Sequence, residues 1–292
     1  MSTDTAAPLR KDFRFTERHR VRWAEVDMQH IVFNAHYLMY LDTAIAAYWR
    51  ALALPYEQTM HALGGDLYVR KATLEYHGSA RYDDQIDVGL RCERIGNSSI
   101  LFRGGVFRAD EALVGGELVY VFADPATQTA VPVPQALREV LNGFEAGRPM
   151  VDVRVGDWRE LGRDAQAIRT AVFVDEQKIP AELEWDVADA GAVHAVAYNR
   201  IGHAVGTGRL LSHVPGVAKI GRMAVSQAVR GSGVGRAVLE ALMAQARARG
   251  EREVLLHAQA SAASFYTRAG FSPRGPMFEE AGIPHIEMVR SL

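Results

Sequence analysis

The stretch Arg230-Gly231-Ser232-Gly233-Val234-Gly235-Arg236 separates an apolar run at residues 219–225 from a strong helical pattern at 237–247 that Gly250 closes. A strand, a glycine-rich turn and a helix in that order leave several backbone N–H groups aimed at one point. Glycine lets the backbone approach a ligand closely, and the helix dipole favours an anion there. The turn therefore reads either as a phosphate or diphosphate cradle or as an ordinary strand-to-helix connection. A Walker-type P-loop is excluded, because no Gly-Lys-Ser/Thr follows. A dinucleotide fingerprint is disfavoured, because the strand–helix–strand repeat of that fold does not continue.

The surrounding residues decide between the two readings. Arg230-x-x-Gly233-x-Gly235 resembles the acetyl-CoA diphosphate loop of the GNAT N-acyltransferases. Ser261 to Phe271 is similar to that family's next helix, with its Phe-Tyr-x-x-x-Gly-Phe ending. Residues 172–180 and 282–288 (Gly-Ile-Pro-His-Ile-Glu-Met) resemble segments of its ElaA/YjcF-like branch. The resemblance covers roughly residues 151–292. It implies that Met223 and Val225 offer edge-strand backbone groups to the pantetheine arm, and that Arg230, Gly231, Ser232, Gly233, Val234, Gly235 and Arg236 hold the diphosphate. Tyr266 matches the position that brings a phenol to the CoA sulphur. Its other reading is a core tyrosine on an apolar helix.

With 292 residues the chain is too long for one typical domain. The first half carries a different pattern. Residues 13–26 alternate like a half-buried strand, and 34–54 read as one long helix with Asn34 as N-cap. Leu38, Leu41, Ile45, Tyr48, Trp49 and Leu52 share a face of it, and Pro55 follows its end. Strands are expected at 67–76, 85–94, 99–108 and 113–123, joined by turns short enough to make antiparallel neighbours. A short helix at 135–144 precedes a Pro/Gly-containing linker.

Just before the long helix lies Asp27. A carboxylate there can act as base or nucleophile while the free N–H groups of the first helical turn polarise a carbonyl; otherwise it caps a turn. Arg20 to Asp27, Ile31-Val32 and Asn34-x-x-Tyr37-Leu38, with Tyr76 to Val88 downstream, resemble the hotdog-fold acyl-CoA thioesterases of the 4-hydroxybenzoyl-CoA thioesterase/YbgC/FadM group. The resemblance covers roughly residues 13–144. It implies that Asp27 is the catalytic carboxylate and that the thioester carbonyl meets the backbone N–H of Asn34. Many members of the group carry glycine where this chain has His30. Glu25 reads as a solvated strand residue, and His36 and Tyr37 as packing or capping residues.

The expected architecture is a two-domain α+β protein: a tail at 1–12, a hotdog domain at 13–145, a linker at 146–151 and a GNAT α/β domain at 152–292. In the second domain a strand precedes a helix at 158–172 and an irregular arm. Strands follow at 192–198, 204–211 and 217–225, then the glycine loop with its helix. A strand at 254–257, a helix at 261–269 and a last strand near 285–290 complete it. The acidic run Glu182, Glu184, Asp186 is a solvated face or a lure for a cationic amine. His194 and His257 read as satisfied strand histidines, and no general base is identified.

The net charge of −2 gives no footprint for nucleic acid or an anionic membrane. No apolar run approaches the about 20 residues of a bilayer span. No signal peptide opens the chain, and the lone Cys92, read as a packed thiol, fits a reducing, cytoplasmic setting. No His/Cys/Asp cluster has metal-ligand spacing, so no metal is expected. The implied activities are hydrolysis of acyl-CoA thioesters and transfer of an acetyl or acyl group from CoA to an amine acceptor. CoA thioesters are then substrates, with no permanently bound cofactor. The alternative keeps one domain catalytic and makes the other a CoA-binding regulatory or interaction module. Hotdog thioesterases build sites from paired subunits, which implies a homodimer or homotetramer through the first domain.

Overall fold

The computed structural model describes residues 7–292. Residues 1–6 of the expected tail lie outside it, and Arg10–Asp12 of that tail form a short 3-10 turn, with Arg10 Nε bound to Asp87 at 3.2 Å. The chain divides into two compact units, one ending at Met150 and one spanning Val151–Leu292.

The first unit runs β1 (Phe15–Arg20), α1 (Asn34–Ala51), α2 (Tyr56–Leu63), β2 (Asp66–Tyr76), β3 (Gln85–Ile95), β4 (Ser99–Arg108), β5 (Glu111–Ala123) and α3 (Gln135–Glu145). Its five strands form one antiparallel sheet in the order β1-β3-β4-β5-β2. The helix α1 lies on the concave face, as the hotdog resemblance implies. Two glycines set how closely it lies: a Cβ at Gly104 or Gly116 would fall 2.5 or 2.9 Å from the Leu41 side chain. Leu41, Ile45, Tyr48 and Trp49 are buried as expected, but Leu38 is exposed and Tyr37, Tyr40 and Ala44 take its place in the core.

Two boundaries differ from expectation. The first strand is shorter, since the chain breaks into a 3-10 turn at Trp23–Glu25. α1 stops at Ala51 rather than Leu54, the chain turning at Ala53 with φ 55°, and Pro55 stands at the N-cap of α2, where its missing N–H costs nothing.

The second unit runs β6 (Val151–Gly156), α4 (Trp158–Arg169), α5 (Ala181–Glu184), β7 (Val193–Asn199), β8 (Ala204–Val214), β9 (Val217–Val225), α6 (Val234–Ala248), β10 (Glu253–Gln259), α7 (Ala263–Arg268), β11 (Ser272–Glu280) and β12 (Ile283–Ser291). Asp157 caps α4 by accepting from Glu160 N–H at 3.0 Å, and the helix loosens into a π-type turn at Thr170–Glu176. The seven strands order as β11-β12-β10-β9-β8-β7-β6, and β9–β10 is the parallel pair among antiparallel ones.

That pair positions the site. The β9–β10 register ends at Ile220–Leu256, after which β9 continues along β8 to Val225 and β10 along β12 to Gln259. A bulge with Arg222 at φ 53° bends β9 at this point. Residues 221–225 therefore have strand neighbours on one side only.

Candidate active sites

In the first unit the loop at residues 26–33 carries Asp27 up to the start of α1. It is pinned by a Val26–Val32 bridge, by Asp27 N–H donating to Ile31 O at 2.9 Å and by His30 N–H donating to Asp27 O at 3.0 Å. One Asp27 carboxylate oxygen accepts from Gln29 N–H at 2.8 Å; the other has no hydrogen-bond partner among the described residues. So Asp27 both caps its turn and keeps one oxygen available.

Asn34 is not the N-cap. That position falls to Phe33, which contributes no side-chain cap. Asn34 is instead the first helical residue, so its N–H is one of the orphan donors of the first turn. Tyr76 OH donates to its carbonyl at 3.1 Å. Tyr37 is buried, and its hydroxyl accepts from Ala80 N–H at 2.8 Å.

Glu25 corrects the sequence reading: it is 2% exposed, not solvated. Its carboxylate accepts from Arg22 N–H at 2.8 Å, Arg22 Nε at 2.7 Å, Tyr40 OH at 2.8 Å and His19 Nε2 at 3.2 Å. Burial alone would raise the carboxyl, but the Arg22 backbone and guanidinium, His19 and Tyr40 bring it down to about 2. Its carbonyl in turn accepts from Phe33 N–H at 2.9 Å. One residue thus fixes both ends of the Asp27 loop. The sequence signal was Arg22-x-x-Glu25, a spacing that lets the carboxylate reach back to the Arg22 N–H at the start of the turn.

Cys92 is half-buried, and burial and Glu145 push its thiol up to about 12, as suits a packed thiol.

In the second unit the divergence of β9 and β10 opens a cavity of about 520 Å³. Met223, Tyr266, His257 and His285 are on its walls. The Tyr266 hydroxyl is pushed up to about 12 by burial, so it holds its proton at neutral pH. Beyond the open edge of β9 comes the glycine loop. Gly231 and Gly233 have φ of 88° and 92°, which few other residues tolerate. Gly233 is the N-cap of α6, and the first intrahelical bond is Ala237 N–H to Gly233 O at 3.0 Å. The N–H groups of Val234, Gly235 and Arg236 are consequently orphan donors beside one another.

Arg230 is engaged within the chain. Its guanidinium makes a two-pronged pair with Glu176 at 2.7 and 2.6 Å, and its Nε donates to Val225 O at 3.1 Å. The pair holds the Glu176 carboxyl below its usual range.

The acidic arm is a solvated face only in part. Glu182 and Asp186 are exposed, but Glu184 is buried against Arg169 at 2.5 Å, and Asp186 also binds Arg209 at 2.7 Å. Asp189 joins the same cluster through Arg169 and Arg209, both at 2.8 Å. Glu184, Asp186 and Asp189 neutralise arginines and so are poorly placed to recruit an amine. His194 is a satisfied core residue, with Nε2 2.9 Å from Asp189 O.

Residues 29–114 match the thioesterase superfamily, and residues 161–292 match the acetyltransferase (GNAT) domain. The uncharacterized N-acetyltransferase YjcF of Bacillus subtilis is 36% identical over 129 residues, 44% of this chain and 91% of YjcF. Protein ElaA of Escherichia coli is 33% identical over 129 residues, 43% of this chain and 84% of ElaA. A solved structure of a hypothetical protein from Aquifex aeolicus shares 28% identity over 44% of this chain and 98% of its own, with a TM-score of 0.41.

Proposed function

Because the chain belongs to the thioesterase superfamily through residues 29–114 and to the GNAT acetyltransferases through residues 161–292, we propose that it carries two activities on CoA thioesters. The first unit hydrolyses an acyl-CoA. The second moves an acetyl or acyl group from CoA to an amine.

The observation that carries this reading is the one-sided edge of β9, which leads from the cavity to the orphan N–H groups of residues 234–236. An extended amide-bearing arm ending in a diphosphate is the ligand chemistry those two features suit: ladder-type hydrogen bonds along the edge, then an anion at a helix N-terminus. Met223 and Val225 would bind the arm, and Arg230 to Arg236 the diphosphate. Tyr266, protonated and buried beside the cavity, would give its proton to the departing thiolate.

In the first unit the thioester carbonyl would rest on Asn34 N–H. The free oxygen of Asp27 would activate water or attack the carbonyl carbon directly. β2 is an edge strand of eleven residues with Val69 and Tyr76 about half exposed. Such an edge invites pairing with a second copy, which supports a homodimer or homotetramer through this unit. A cytoplasmic location fits the single free thiol; among the described residues no helix is long and apolar enough to cross a membrane.

A panel of acyl-CoAs assayed with a thiol reagent, with and without primary amines, tests the proposal. CoA release without amine and further release on adding amine are both expected. Release in only one condition would reduce the protein to a single activity, and silence in both would end the reading.

A further inference from the structure

The segment at residues 282–288 stands out in the sequence, yet the chemistry above makes no use of it. Its histidine is among the most constrained side chains of the second unit. His285 lies on β12 opposite Gln259 of β10 on one side and Phe278 of β11 on the other. Its ring stacks on Phe278 with centroids 6.0 Å apart and planes 23° from parallel. It is 9% exposed and forms part of the wall of the cavity that also holds Tyr266.

The decisive contact is Nδ1, 2.8 Å from the carbonyl oxygen of Ile283. A carbonyl can only accept, so Nδ1 carries the hydrogen. The lone pair of the neutral ring is then fixed on Nε2, which has no protein partner among the described residues. No other acid–base group on the wall combines these properties. Glu184 and Asp186 are neutralised by arginines. His257 shares its Nδ1 between Lys219 Nζ at 3.4 Å and Glu280 at 3.3 Å, so no single tautomer is imposed on it.

We propose that His285 is the general base of acyl transfer, accepting the proton of the acceptor amine on Nε2. The assignment rests on the acyltransferase reading above. The amine nitrogen attacks the thioester carbonyl carbon and forms the C–N bond, and one N–H proton passes to His285 Nε2. The C–S bond breaks, and the thiolate takes the Tyr266 hydroxyl proton. The imidazolium then returns a proton to the phenolate through solvent. One thioester and one amine thus give one amide and one free thiol.

The test uses the full chain with acetyl-CoA and two acceptors, phenylethylamine and aniline. His285→Asn keeps a short donor for the Ile283 carbonyl but removes Nε2. Acetyl-CoA binding, read by calorimetry, should be unchanged, which also reports an intact fold. Transfer to phenylethylamine should fall about 10²-fold or more. Transfer to aniline should fall far less, because its addition product gives up a proton readily to water. Added imidazole should restore part of the rate of His285→Ala. Wild-type transfer by His285→Asn, equal losses for both acceptors without imidazole rescue, or loss of acetyl-CoA binding in both variants would each overturn the assignment. A wild-type protein that binds acetyl-CoA but transfers to no amine would instead overturn the acyltransferase reading and this inference with it.

Discussion

Glu25 in the first unit and Glu184 in the second are equally hidden, at 2% and 3% exposure, yet their environments act in opposite directions. Burial raises both. Around Glu25 the Arg22 backbone and guanidinium, His19 and Tyr40 overcome it and bring the carboxyl to about 2. Around Glu184, burial outweighs Arg169 and Arg222 and the carboxyl is pushed up, even though Arg169 is only 2.5 Å away. The difference lies in the donors. Glu25 collects a backbone N–H, a hydroxyl and an imidazole in addition to one arginine, whereas Glu184 shares its arginines with Asp186 and Asp189. The first arrangement locks a loop that presents another carboxylate. The second builds a cavity wall. Buried charge therefore positions a second carboxylate in one unit and shapes a container in the other.

The largest test of that division is a double dissociation. Asp27→Asn should lower thioester hydrolysis about 10²-fold or more while leaving amine-dependent transfer unchanged. Gly233→Val, which forces a branched side chain into a backbone at φ 92°, should weaken acetyl-CoA binding at least about tenfold and spare hydrolysis. Calorimetry with acetyl-CoA and the thiol-release assay read the two effects. If either change damages both activities, the units do not act separately.

Next in size is Glu25→Gln. A carboxyl held near 2 instead of its ordinary range represents about 3 kcal/mol of folding free energy in the charged form. Because the folded value is depressed, that contribution is complete above about pH 5 and fades as pH falls toward 2. The variant should lose roughly this amount at neutral pH and show a flatter acid limb, measured by amide exchange of α1. An unaltered limb would mean that Arg22, His19 and Tyr40 do not hold the charge.

Much of this architecture was legible in the sequence. β-branched and aromatic content between short turn signals located β2 to β5, and the glycine loop between β9 and α6 was readable from Gly231, Gly233 and Gly235. Local pattern failed where long-range packing decides. Glu25 sits at an outward-looking position of an alternating stretch, and the hydroxyl that reaches it in the interior comes from Tyr40, fifteen residues on. β11 was not anticipated because Pro273, Gly275 and Pro276 break any strand pattern and all nine of its residues are exposed. α2 was missed because Pro55 was read as a stop, although the same ring suits a helix start.

Buried and exposed ion pairs give the next contrast. The Arg230–Glu176 pair is 42% and 33% exposed, unlike the sealed pairs around Arg169. For Arg230 to face a diphosphate, it must leave Glu176. Exposed pairs are worth about 0–1 kcal/mol, so Glu176→Gln should tighten acetyl-CoA binding by up to about fivefold. An unchanged dissociation constant would show that Arg230 stays on Glu176 when ligand binds.

The smallest effect separates strain from chemistry at His30. This exposed residue holds φ 60°, the left-handed region that glycine enters freely. A side chain there costs about 1–2 kcal/mol, and glycine's extra freedom when unfolded offsets about 0.5–1 kcal/mol of the gain. His30→Gly should therefore stabilise the first unit by roughly 0.5 kcal/mol, read as a small rise in denaturation midpoint. The loop bonds through the His30 backbone survive the change, so Asp27 should stay in place and hydrolysis should hold near its wild-type rate. A large gain in rate would instead assign the imidazole to narrowing the acyl pocket, and a large loss would assign it to hydrogen bonding the substrate. Either result would make this strained residue part of the chemistry, and the first unit's site would no longer rest on Asp27 and the helix start alone.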